Sequence, residues 1–269
     1  MKHISRMPGT GLAMVGLIVG SYGAVVLAQT PAAAITLCGG VAATIQGTMS
    51  DDDLVGTPGD DVFNGLGGDD TIRGGGGNDR ICGDDGEDVI HGQDGGDRIY
   101  GGAAGDVIFG EEGSDHLFGN TGDGSPGDAG DVINGGKGPD AIDGMDGNDT
   151  LQGGPGTDQL IGSAGKNTLT FAASTKAVTV NMLAGQANGA ATGSDSFFDI
   201  DVVIGSPKAD TINGDDDDNV LRGGAGPDKL DGRGGSDTLN GGPQQDTCAG
   251  GPGTDTAISC ESKTGIPKG

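Results

Sequence analysis

The chain has no tryptophan, and aromatic residues make up only 3% of its 269 positions. It therefore cannot build the broad aromatic core that a globular domain of this length normally carries. Cations are also scarce: Lys and Arg number 14 against 40 Asp and Glu, for a formal net charge of −26. Such a surface repels phosphate backbones and anionic membranes, so neither nucleic acid nor a lipid surface is an expected partner. Signatures of common chemistry are missing too, with no His-Glu-x-x-His, no Gly-x-Ser-x-Gly and no phosphate-binding loop. His91 and His116 are isolated and read as exposed strand or turn residues, so no enzyme is expected.

What is abundant is glycine, with 60 residues, and it falls on a nine-residue period. From Gly65 onward GLGGDDTIR, GGGGNDRIC, GDDGEDVIH, GQDGGDRIY and GGAAGDVIF follow one another without a gap. With glycine as position 1, a first block of units runs from Gly47 to Gly162 and a second, in the same phase, from Gly205 to Gly250. Position 6 is Asp52, Asp61, Asp70, Asp79, Asp88, Asp97, Asp106, Asp115, Asp131, Asp140, Asp149 and Asp158 in the first block. In the second it is Asp210, Asp228, Asp237, Asp246 and Asp255, and Asn167 and Asn219 are the two exceptions. Position 8 is a single Ile, Leu or Phe from Leu54 to Leu239, weakening to Cys248 and Ala257. One aliphatic residue between polar neighbours suits a very short strand with one inward side chain, and the glycine-rich remainder suits a turn.

No single unit can bury its one aliphatic side chain, so neighbours must stack. Stacked Gly-Asp turns offer carboxylate and backbone carbonyl oxygens together, the donor set a hard cation such as calcium takes, six to eight at about 2.3–2.6 Å. The nonapeptide resembles the RTX, or haemolysin-type, calcium-binding repeat, and the resemblance extends from Gly47 to Ile258. It implies an all-β parallel β-roll (a β-solenoid) with two units per coil and multiple Ca2+ ions, each between a turn and the turn one coil away. The position-6 aspartates named above then become the side-chain ligands. If every gap between same-edge turns were filled, about 15 divalent ions would roughly cancel the protein charge. Without calcium, closely stacked carboxylates and a thin core favour disorder.

Residues 1–28 read as a secretory signal: Lys2, His3 and Arg6 precede an apolar run from Leu12 to Leu27, with Val26-Leu27-Ala28 before the cut. The mature start is then Gln29, or Ile35 if Ala32-Ala33-Ala34 is used. The competing reading, an uncleaved anchor, suffers from a short run broken by Gly16, Gly20, Ser21 and Gly23. The expected layout is a cap over 29–46, a first repeat block over 47–170, an insert over 171–204, a second block over 205–258 and a closing tail over 259–269. Four cysteines in an exported chain suggest two disulfides, and Cys38 with Cys82 and Cys248 with Cys260 would staple the two ends.

Two stretches leave the period. Between Gly119 and Asn134 one unit is longer by seven residues and reads as a bulging loop, where Asp123 and Asp128 suit a solvated turn. Phe171 to Ile204 holds two strand-like runs, AVTVNM and DIDVVI, separated by a small-residue stretch from Ala184 to Ser194, and is either a wider coil or a hinge. Its Phe171, Phe197 and Phe198 suggest a small local core. The run Asp215 to Asn219 is no EF-hand, since Val220 occupies the glycine position. The closing GGPGTDTAISCE is similar to the ends of small secreted RTX-repeat proteins of actinobacteria. The expectation is a secreted, calcium-folded protein with a structural or surface-interaction role; the alternative is an RTX cytotoxin or the detached tail of a secreted hydrolase.

Overall fold

The computed structural model describes residues 37–120, 129–189 and 191–265. The expected leader and cleavage sites, Asp123 and Asp128 lie outside the described residues. Successive nonapeptides contribute strands alternately to two sheets, of 11 and 14 strands, so that two units complete one coil. The period of 18 residues follows directly: Ile72 pairs with Ile90, Ile90 with Ile108, and in the other sheet Ile81 with Ile99, all in parallel register. The fold is an all-β parallel solenoid.

Many strands cover positions 7 to 9 alone, out, in and out, as in Thr150–Gln152 with Leu151 buried between half-exposed neighbours, whereas strands such as Val62–Gly67, Val89–Gly95 and Val132–Lys137 run on into the next unit for six or seven residues. The inward residues of both sheets form a single-file core, with Ile72, Ile90, Ile108, Leu117, Ile133 and Leu151 all at 0% exposure. Each such side chain contributes roughly 1.5–3 kcal/mol on burial, but a coil has only two. Stability must therefore come from coil stacked upon coil.

The stretch 171–204 is a widening of one sheet and not a hinge. Strands Val178–Asn181, Gln186–Gly189 and Gly193–Phe198 form an antiparallel meander whose outer members continue the parallel sheet. Leu160 pairs with Phe197 on one side, and Val180 with Ile212 on the other. The small-residue stretch expected as a connection thus contains a strand, Gln186–Gly189, because the meander needs a middle member. Phe171 and Phe197 are buried at 4% and 2%, but Phe198, on the opposite face of its strand, is 62% exposed and lies outside that core.

Both expected disulfides are present, Cys38–Cys82 and Cys248–Cys260, with Cα–Cα distances of 5.6 and 6.0 Å. The first holds the hairpin of Leu37–Cys38 and Val41–Ala42 against strand Arg80–Asp85, and Cys82 is 3% exposed beneath it. On the outer face beyond that hairpin, Tyr100 and Phe118 stack at 5.0 Å with the Arg98 guanidinium close to both rings. His91 stacks on Phe109 and meets Glu111 at 2.7 Å, whereas His116 is exposed. Among the described residues no helix is long and apolar enough to cross a membrane.

Candidate metal centre

Each sheet is fed by a row of turns, and the position-6 aspartates run along these two edges as ladders. Along one edge Asp52 donates its backbone N–H to Oδ1 of Asp70, Asp70 to Asp88, Asp88 to Asp106, Asp106 to Asp131, Asp131 to Asp149 and Asp149 to Asn167, at 2.7–3.0 Å. Along the other the same bond links Asp61, Asp79, Asp97, Asp115, Asp140 and Asp158 in order. The second block repeats the pattern from Asp210 through Asp228 to Asp246, and from Asn219 through Asp237 to Asp255. All of the predicted site aspartates thus lie on the ladders. All are buried except Asp52, which is partly exposed at the open end.

Three ladder members escaped the sequence reading. Asp195 accepts the N–H of Asp158, and Asp201 accepts that of Asn167, so both occupy position 6 of coils built by the insert. They were missed because no glycine stands five residues before them. The remaining signature, Asp-x-apolar-x, is visible in Asp195-Ser196-Phe197-Phe198 and Asp201-Val202-Val203-Ile204. Glu261 closes the far end by accepting the N–H of Asp246 at 2.6 Å. Val178 holds position 6 at the strand facing Asp210 and breaks the ladder there, since it brings an N–H but no carboxylate.

One oxygen of each aspartate that receives such a bond is thereby accounted for. The other is not: Oδ2 is buried and without a hydrogen-bond partner at Asp70, Asp79, Asp88, Asp97, Asp115, Asp140, Asp158, Asp228, Asp237, Asp246 and Asp255. A buried unpaired carboxylate oxygen is costly and requires a proton or a cation. Burial, outweighing the backbone hydrogen bond each accepts, pushes Asp97 and Asp140 up to about 7 and Asp88, Asp158, Asp228 and Asp237 up to about 6. Asp195 is likewise raised to about 7, burial again the main cause.

The position-1 glycines border this oxygen. A Cβ on Gly65 would lie 2.4 Å from Asp70 Oδ2 and 2.5 Å from the carbonyl of Gly83, one coil on. On Gly135 it would lie 2.4 Å from Asp140 Oδ2 and 2.6 Å from the Gly153 carbonyl. A carboxylate from one turn and a carbonyl from the next therefore converge beside each such glycine. The absent side chain is needed for this close approach, while positive φ occurs at positions 2 and 4, as at Gly75 (108°) and Gly77 (112°). Among the described residues no three His, Cys, Asp or Glu side chains gather at one point. A cation held here takes the rest of its oxygens from backbone carbonyls, the mixed donor set that suits calcium.

The RTX calcium-binding nonapeptide repeat (four copies) matches residues 46–81, 55–90, 91–126, 125–160, 134–169, 196–230 and 222–257. These spans together cover well over half of the chain. Comparison with curated proteins gives no match.

Proposed function

The chain belongs to the RTX calcium-binding nonapeptide-repeat family, and from this premise we propose that it is a secreted, non-enzymatic β-roll. It folds on binding extracellular calcium and serves a structural or surface-interaction role. The observation that carries the reading is the set of eleven buried, unpaired Oδ2 atoms named above, at Asp70, Asp79, Asp88, Asp97, Asp115, Asp140, Asp158, Asp228, Asp237, Asp246 and Asp255. Calcium, when bound, supplies positive charge and a demand for oxygen ligands along each edge. The chain's part is to bring carboxylates and carbonyls of successive turns together, which stacking of the position-8 residues does at the same step. Core burial and ligand assembly are therefore one event, and neither is complete in an isolated unit.

Export is supported by the apolar N-terminal segment and by two disulfides, which persist in oxidising compartments. The closing segment GGPGTDTAISCE supports a place among small secreted RTX-repeat proteins. A non-enzymatic role is supported by the absence of catalytic motifs from the sequence and by repeats occupying most of its length.

The test is far-ultraviolet circular dichroism of the chain from Gln29, titrated with calcium and separately with magnesium. A cooperative coil-to-β change with calcium alone supports the reading. Full β structure in chelator defeats calcium-driven folding, and calcium-dependent lysis of cells would favour a cytotoxin.

A further inference from the structure

The ladder turns are of two kinds. In one kind the carboxylate is met from within its own turn. Thr57 donates both its N–H, at 2.7 Å, and its hydroxyl, at 2.8 Å, to Asp61 Oδ2, and Thr48 does the same for Asp52 at 2.6 and 2.9 Å. Ser206 gives its N–H to Asp210 Oδ2 at 2.6 Å and its hydroxyl to both oxygens at 2.8 and 3.0 Å. Asp215 gives its N–H to Oδ1 of Asn219 at 2.9 Å. In the other kind, the eleven aspartates named above, no such donor reaches Oδ2.

The backbone at position 2 separates these two kinds; the Asn167 turn, whose position-2 residue Ser163 is left-handed (φ 61°), belongs to neither. Ahead of every unpaired Oδ2 it is left-handed, from Leu66 (φ 81°) and Gln93 (76°) to Arg233 (66°) and Gly251 (91°). Thr48, Thr57, Ser206 and Asp215 are not left-handed, and these are the residues whose N–H meets the side chain. Position in the chain separates them as well, because the closed turns are the first two of each block. The last turn of the first block is closed by other means. Asn167 Oδ1 accepts from Asp149, which fixes the amide orientation, and Nδ2 donates to the carbonyls of Ser163 (3.4 Å) and Asp199 (3.3 Å). A Cβ on Gly162 would meet Asn167 Nδ2 at 2.6 Å and the Asp199 carbonyl at 2.0 Å, so the amide nitrogen stands where other coils place Oδ2. Two facing acceptors are replaced there by a donor and an acceptor.

We propose that calcium is held by the open turns alone, and that the turns of Asp52, Asp61, Asp210, Asn167 and Asn219 are ion-free closures marking the start of both blocks and the end of the first. The proposal rests on the calcium reading above and divides its sites. Thr or Ser at position 2, with Asp four residues later, is the sequence mark of a closure, because one residue supplies both donors that satisfy the carboxylate. The closures give each block a first coil that forms without an ion and on which the open turns can stack.

The test is the number of calcium ions retained per chain after equilibrium dialysis, with circular dichroism in calcium to confirm folding. Asp97→Asn is expected to lose at least one ion relative to the unsubstituted chain, and Asp61→Asn to lose none. Thr57→Gly, which frees position 2 to turn left-handed and removes the hydroxyl, is expected to gain one. Equal losses in Asp61→Asn and Asp97→Asn would overturn the division while leaving the calcium reading intact, as would an unchanged count in Thr57→Gly. An unsubstituted chain that retains no calcium would overturn both. If Asp61→Asn does not fold, the Thr57→Gly count decides.

Discussion

The backbone N–H of Asp97 donates to Oδ1 of Asp115 at 2.8 Å, while Oδ1 of Asp97 accepts the N–H of Asp79. Each carboxylate is thus a link between two coils as well as a candidate ligand. Asn167 fills the same position and accepts the same bond from Asp149 through Oδ1, so the link needs an acceptor oxygen, whereas cation binding needs the charge.

Acid should therefore replace calcium in part. Burial raises Asp97 and Asp140 to about 7 and Asp88, Asp158, Asp228 and Asp237 to about 6, all above the ordinary 3.8. A carboxyl whose folded value lies above its unfolded value stabilises the fold fully below the unfolded value and loses that contribution as pH rises through the folded one. In chelator, β content should be higher near pH 5 and fall as pH rises through about 6 to 7. The calcium midpoint should move the other way, with more calcium needed at the lower pH, since protons compete for the same oxygens. Circular dichroism in chelator at a series of pH values checks this, and a flat profile between pH 5 and 8 would refute it.

Glycine at position 1 should be far less replaceable than Gly59, which has open space around it and no positive φ. A Cβ on Gly83 would lie 2.1 Å from Asp88 Oδ2 and 2.5 Å from the Gly101 carbonyl of the next coil. Gly83→Ala should raise the calcium midpoint several-fold or abolish folding, because either the carboxylate or the coil spacing must shift. Gly59→Ala is the control: its nearest neighbour is Thr57 Oγ1 at 3.9 Å, and its midpoint should stay within twofold of the unsubstituted chain. Equal sensitivity of the two sites would mean that close approach is not what the repeat glycine provides.

The nine-residue phase made the core and the aspartate positions readable, and the resemblance to the RTX repeat implied two units per coil and so the alternation of sheets. Periodicity fixes which residue points inward, and the pairing of Ile72 with Ile90 follows from stacking. The insert was readable only in part, because an antiparallel meander is specified by pairing and turn geometry that AVTVNM and the small-residue stretch do not encode locally. Asp195 and Asp201 were hidden for a related reason: the structure keeps the Asp-x-apolar-x half of the unit and discards its glycine half. The distinction between Thr57 and Gln93 at position 2 was in the sequence, but its meaning appears only when the carboxylate is seen to have, or to lack, a donor.

The single-file core should make each inward residue matter and each outward one not. Ile108 is fully buried and pairs with Ile90 and Ile133, one coil to each side. Ile108→Ala should cost about 2–5 kcal/mol in calcium-saturated denaturant unfolding. Ile258, 51% exposed on the outer side of its strand, should give about 0.5 kcal/mol or less when changed to Ala. A small effect at Ile108 would show that the coils are held by ligand assembly and hardly by packing.

The C-terminal disulfide should protect the last link of one ladder and little else. Cys260 precedes Glu261, whose side chain accepts the N–H of Asp246 and whose own N–H, with that of Ser262, donates to the Asp246 carbonyl at 3.1 Å. Closing so short a loop contributes about 3 kcal/mol in the chain-entropy picture. Reduction in the presence of calcium should therefore speed hydrogen exchange at Asp246, Glu261 and Ser262. The amides of Asp97 and Asp115, several coils away, should keep their protection, because each repeat contacts mainly its neighbours. A uniform loss of protection would show instead that the coils melt as one unit, and unchanged exchange at Asp246 would show that Glu261 holds its place without the covalent link.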